Sequence, residues 1–257
     1  MSWLIGPVLI GVAVNQINTM VDRTLASTLV EGSISALNYA NKLNGFVMAL
    51  FITSVGAVIY PMLSKLSSED NKEKFISSVV QSINSVILLV IPISIGAIVL
   101  ATPIVKLLFQ RGEFDARATS MTAIALIMYS IGMVAFGLRD ILGKVFYALQ
   151  DTKTPMINSI IATIFNIVLS IILVRSMKHN GVALASSIAL IITTVLLVKN
   201  LKRVMLGLNI RLILLTIMKS TLAATSILII HKVWLNIINQ DLNNIIIFNI
   251  ITRKIFI

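Results

Sequence analysis

The chain is a series of long apolar blocks separated by short polar connections, and this patterning constrains its fold more than any other feature. Trp3–Val21, Phe46–Tyr60, Val86–Ala101, Met121–Phe136, Ile157–Val174, Val182–Val198 and Leu212–Ile230 are nearly free of charge. Several reach the roughly 17–25 residues that a membrane-crossing helix needs, and flanking turns extend the others. Charged residues make up 12% of the chain and hydrophobic ones 57%, whereas a soluble domain carries about 25% charged residues. The expected fold class is therefore an all-α polytopic membrane protein.

The same distribution excludes several functions. The net charge of +11 comes from Lys and Arg placed mostly in the connections. They form no continuous basic stripe interleaved with aromatic residues, so nucleic acid is not the expected partner. Anchoring against anionic membrane lipid is the expected role of this charge. The chain contains no cysteine, which removes thiol chemistry and cysteine metal sites. His179 and His231 are distant in sequence and lack carboxylate neighbours, so no histidine metal pair is expected. There is no Gly-rich phosphate loop and no G-x-S-x-G elbow. The residues themselves call for neither an enzyme nor a cofactor.

Seven helices and a remnant can be read along the chain. The start, Met-Ser-Trp, enters an apolar run with no basic region and no cleavage site, and reads as the inside of a helix. The first helix ends near "VDRTLAS", and the turn "TLVEGS" leads into a second from Ser33 to about Pro61. "SKLSSEDNKEK" reads as a solvated connection, with Ser68 as a cap for an amphipathic run from Lys72 to Asn84. Pro92 should kink the third helix. "TPIVKLLFQRGEFDAR" reads as a longer connection before a fourth helix that ends near Gln150. Thr154–Pro155 starts the fifth helix, "RSMKHNG" links it to the sixth, and "KNLKRVMLGLNIR" leads to the seventh. Ile245–Ile257, 13 residues, is too short to span well. The connections after helices two, four and six are richer in Lys and Arg, so they are expected on the cytoplasmic side.

Charges inside the apolar blocks need a reason, because each costs at least ~2.5–3.5 kcal/mol at the bilayer centre. Asp140 and Lys144 are four apart with the acid first, the favourable order for a helical ion pair. Asp22 and Lys42 flank the "TLVEGS" turn at similar distances, roughly 13–17 Å along their helices. Three readings stay open for them: a mutually compensating pair, charges rising towards the outer surface, or a polar cavity whose charges contact a substrate or an ion.

Motifs add a family. "GSISALNYANKL", an apolar run and "YPMLSKL", then "FQRGEFDA", "YSIGM", "FYALQDTKTP" and "HNGVALASS", follow one another in this order. They resemble the segments of the MurJ (MviN) family of lipid II flippases, within the multidrug/oligosaccharidyl-lipid/polysaccharide exporter superfamily. The resemblance covers Gly6 to about Asn209 and thins beyond. It implies a six-helix transporter lobe over residues 1–206, then one further helix and a truncated last helix over residues 207–257. It also implies alternating-access translocation of lipid II, an undecaprenyl-linked precursor, across the bacterial inner (cytoplasmic) membrane, with a separate first-lobe chain as an implied partner. The alternatives are a drug or polysaccharide exporter of the same superfamily, and a non-transporting remnant.

The resemblance assigns residues as well. Lys42 falls on a family arginine held to engage the substrate's pyrophosphate; lysine keeps the charge and loses the bidentate fork. Asn41 stands where many members have Asp. Arg139 falls where the family keeps a cation, which makes it a second substrate-binding candidate. For some members a sodium ion is implied, and the matching positions here are Asp22, Asn166, Ser170, the Val182 carbonyl and Ser186. Ser170 replaces an acid of some members. The competing reading of Asn166, Ser170 and Ser186 is hydrogen bonding between helices.

Overall fold

The computed structural model describes residues 2–69, 71–205 and 211–228. The tail Ile245–Ile257 and His231 lie outside these residues. The described residues form helices throughout, joined by short turns. Among them, five helices are long and apolar enough to cross a membrane, or six when one bent pair counts as a single span.

Helix α1 runs Ser2–Ser27 and is not one of those spans. Its C-terminal half carries Gln16, Asn18, Asp22 and Arg23, which lower its apolarity. The second predicted helix is longer than its sequence reading. α2 (Ser33–Val47), a six-residue π-helical segment (Met48–Thr53) and α3 (Ser54–Ser68) form one 36-residue span with Pro61 inside it. At 1.5 Å per residue that is about 54 Å, well beyond the ~30 Å hydrocarbon layer.

Three boundaries differ from the sequence reading, each for a local reason. The amphipathic run and the third helix are one helix, α4 (Lys72–Val99), with Pro92 inside it. Its cap is Asn71, whose side chain accepts from the Lys74 N–H at 3.2 Å, while the Ser68 hydroxyl turns back to the Lys65 carbonyl. The supposed connection contains α5 (Ala101–Phe109), which buries Ala101 and Val105 at i,i+4 and leaves Leu107 and Leu108 exposed.

The fourth helix is two, α6 (Ala116–Ile131) and α7 (Met133–Ala148), bent by 45° at Gly132. A Cβ at Gly132 would lie 2.7 Å from the Cα of Ser187, so only glycine admits the neighbouring helix here. The Ser187 hydroxyl donates to the Met128 and Tyr129 carbonyls just before the break. Helix α8 (Lys153–Met177) starts with the Asp151 carboxylate accepting from the backbone and hydroxyl of Thr154. It turns at Lys178 into α9 (His179–Val204), whose Gly181 passes so close that a Cβ would meet the Leu173 carbonyl. α10 spans Arg211–Leu228.

Two apolar cores result. One is built of large side chains, including Ile52, Leu63, Val86, Ile141, Phe146 and Leu197, where α3, α4, α7 and α9 meet. The other is rich in alanine, with Ala26, Ala40, Ala101, Ala125 and Ala183 letting α1, α2, α5, α6 and α9 approach closely. Helix α8 packs along both α1 and α9, and a polar cavity opens beside that seam.

Candidate functional site

The cavity has a volume of about 290 Å³ and is walled by α1, α2, α6, α7, α8 and α9. Its polar walls differ. On one side α8 places Asn166 and Ser170 one turn apart, α9 does the same for Val182 and Ser186, and α1 brings Asp22 against them. The Ser170 hydroxyl donates to Asn166 Oδ1 at 2.9 Å and reaches Asp22 Oδ1 at 3.3 Å, one proton serving two acceptors. Asn166 Nδ2 donates to Ser186 Oγ at 3.1 Å, and the Ser186 hydroxyl donates to the Val182 carbonyl at 3.1 Å. All five residues singled out by resemblance thus form one continuous chain of hydrogen bonds. Ser170 and Asn166 are buried, at 0% and 4% exposure.

On another side α2 contributes Asn38, Asn41 and Asn44, spaced three apart, and α1 adds Asn18. These residues were not singled out as a cavity surface by sequence reasoning. Their signal was present as the N-x-x-N-x-x-N spacing inside "NYANKLN". Ser159 was missed as well: its hydroxyl accepts from Arg139 Nη2 at 3.2 Å.

Arg139 lines this cavity and also a second one of about 600 Å³, which contains Tyr60, Asp140, Lys144 and Tyr147. The two cavities meet at Phe136, Arg139 and Ser159. Asp140 and Lys144 form the ion pair expected from their spacing, and Lys144 lies against Gly56, where a Cβ would collide with its ammonium.

Lys42 is placed apart from these groups. It is exposed, and it lines neither cavity although its neighbour Asn41 lines the first. Its ammonium sits 5.5 Å from the centroid of the Tyr39 ring, an exposed cation–π contact worth about 0.5–1 kcal/mol. Tyr39 in turn rests on Phe109 and Phe114, with ring centroids 4.7 and 5.3 Å away. Among the described residues no ion pair joins Asp22 to Lys42. Asp22 lines the first cavity.

No group of three or more His, Cys, Asp or Glu that could hold a metal ion occurs among the described residues. The Asp22 cluster instead offers carboxylate, amide, hydroxyl and carbonyl oxygens, hard donors with a single formal charge. That donor chemistry fits a small monovalent cation better than a transition metal.

A bent span, two neighbouring cavities and closely packed helices make up a polytopic helical bundle of the membrane-protein class. Its fold is similar to an outward-facing multidrug resistance MATE family transporter of the MOP superfamily, with a TM-score of 0.67 at 18% identity over 87% of this chain and 52% of that one. The chain matches the family described as lipid II flippase MurJ over residues 3–252 and belongs to it. It is 37% identical to a probable lipid II flippase MurJ of Vibrio cholerae serotype O1 over 76% of this chain and 37% of the relative. A Bdellovibrio bacteriovorus relative of the same description is 31% identical over 87% of this chain and 43% of its own length. A solved structure, lipid II flippase MurJ in an inward closed conformation, aligns with a TM-score of 0.76 at 32% identity over 87% of this chain and 46% of that one. The chain therefore spans less than half the length of these relatives.

Proposed function

We propose that this chain supplies one lobe of a lipid II flippase in the bacterial cytoplasmic membrane: the six-helix lobe over residues 1–206, followed by an extension over residues 207–257. It works by alternating access together with the first lobe of such a flippase. No bond is made or broken; the headgroup is held, carried across and released. The observation that carries this reading is the cavity of a lipid II flippase family chain, where Arg139 presents a cation whose hydrogen-bonding partner is the neutral Ser159. Such a guanidinium is available to a pyrophosphate. Lys42, exposed on α2 outside the cavity, is the second cation for the headgroup, met on its way to or from Arg139.

Complementation of a lipid II flippase-depleted bacterium tests this. This chain together with a matching first lobe should restore growth, and neither should do so alone. In the restored pair Lys42→Ala should abolish rescue while Lys42→Arg keeps it, since a charged hydrogen bond worth about 1.5–3 kcal/mol is about 10–100-fold in headgroup affinity. Failure of the pair, with both chains verified in the membrane, would identify a non-transporting remnant. Drug or polysaccharide efflux insensitive to lipid II would identify another exporter.

We also propose that Asp22, Asn166, Ser170, Val182 and Ser186 hold a sodium ion. Bound there, the ion would supply positive charge against the Asp22 carboxylate, held by residues of α1, α8 and α9. Sodium chloride at 100 times its dissociation constant should then stabilise the protein over equimolar potassium chloride by up to about 2.7 kcal/mol. Asp22→Asn should remove the difference. A thermal shift that is equal in both salts would reject this site.

A further inference from the structure

A groove of about 670 Å³ runs between α4 and α10 and shares no lining residue with either cavity described above. On its α4 wall Glu73, Ser77, Gln81 and Ser85 follow one another at four-residue spacing, with Asn84 and Leu88 on the same face. Leu212 of α10 stands opposite, and the exposed Arg211 precedes it. The α4 wall changes character in one direction. It begins with a carboxylate at the end expected to face the cytoplasm, passes through hydroxyl and amide groups, and reaches a leucine about 22 Å further along the helix.

A graded wall of this kind is unusual on a helix that crosses a membrane, as α4 does. Gln81 is exposed, and its amide makes no hydrogen bond to the described residues. Hydrocarbon offers it none either, so a ligand with polar groups at this depth is favoured over bare acyl chains. The sign of the charge narrows the ligand. The surrounding connections are basic, with Lys65, Lys72, Lys74, Lys199 and Lys202, and would attract an anionic lipid anywhere on this surface. The groove itself carries the acid: Glu73 forms no ion pair among the described residues. A carboxylate there disfavours a purely anionic headgroup and takes an ammonium, which leaves Arg211 for a phosphate. Glutamine and asparagine amides donate to ester carbonyls, and Leu88 and Leu212 meet acyl chains.

We propose that the groove between α4 and α10 is a binding site for an aminophospholipid of the cytoplasmic leaflet, of the phosphatidylethanolamine type. Ammonium at Glu73, phosphate at Arg211, esters at Gln81 and Asn84, and chains beyond Leu88 follow the order of groups in the lipid itself. Little of α10 is buried against the lobe, 17% of its most apolar stretch, and the lipid supplies contacts between them. This inference concerns a resident lipid outside the transport route and does not depend on what the lobe carries.

Native mass spectrometry of the 257-residue chain in mild detergent tests it by titration with three lipids of identical acyl chains. Phosphatidylethanolamine should bind about 3–5-fold more tightly than phosphatidylcholine, whose quaternary ammonium cannot donate a hydrogen bond, and more tightly than phosphatidylglycerol. Glu73→Gln, at an exposed position, should bring phosphatidylethanolamine and phosphatidylcholine within about 1.5-fold of each other. Gln81→Leu should instead weaken all three lipids together by about threefold or more, because it removes a bond to a group they share. A native preference for phosphatidylglycerol would show that the basic surface, not the groove, selects the lipid. That result would overturn the proposal, as would an ethanolamine preference that survives Glu73→Gln.

Discussion

The two polar walls of the cavity are made of similar residues and are used in opposite ways. On the α8–α9 wall, Asn166, Ser170 and Ser186 spend their hydrogen-bonding capacity on one another, on Asp22 and on the Val182 carbonyl. On the α2 wall, Asn38, Asn41 and Asn44 face the cavity, and the buried amide oxygen of Asn44 has no partner within the protein. The first wall ties three helices together. The second is left open to whatever enters. Partner accounting therefore separates two kinds of polar group beside this cavity: those already paired within the protein, among them the oxygens proposed to hold sodium, and those the protein leaves unpaired.

Asn166 is where this contrast can be broken most forcefully. Its side chain joins the two halves of the chain of bonds, accepting from Ser170 and donating to Ser186. Asn166→Leu removes both bonds, leaving the Ser170 hydroxyl only Asp22 and the Ser186 hydroxyl only the Val182 carbonyl, so it should destabilise the lobe by about 1–3 kcal/mol. Unfolding in mild detergent would read this directly, and an unchanged transition would show that the wall is not structurally coupled. Ser170→Ala should cost less, about 0.6–1 kcal/mol, in line with measured interhelical hydrogen bonds in membranes. That variant keeps the Asn166–Ser186 link and removes only the arm that reaches Asp22.

The closed wall was legible in the sequence and the open one was not read from it. Asn166 with Ser170, and Val182 with Ser186, are pairs at i,i+4, so each pair had to share a helix face, and the family resemblance joined the faces to Asp22. Lys42 drew attention because a charge among apolar residues needs an explanation. Its neighbour Asn41 points about 100° away around the helix, and that single step decides which of them meets the cavity. Sequence period places residues on a face without saying which neighbour the face meets. The helical boundaries were hidden for other reasons. Asn71, not Ser68, proved to be the cap because the polar run "SSEDN" offers several capping residues. The break at Gly132 follows from the close approach of Ser187, a contact 55 residues away in sequence that no local pattern records.

The smallest effect separates the walls most cleanly. Asn41 is exposed, makes no hydrogen bond with the α8–α9 chain, and sits on a helix whose apolar contacts come from Leu37 and Ala40. Alanine at position 41 raises helix propensity and removes only groups that face the cavity. Its effect on unfolding should therefore stay within about 0.5 kcal/mol, against the larger losses expected at Asn166 and Ser170. Measured in the same detergent, a loss at Asn41→Ala comparable to that at Asn166→Leu would mean that α2 is bonded across the cavity after all. In that case the distinction between an internally paired wall and an unpaired one would fail at its most exposed residue, where it ought to be easiest to see.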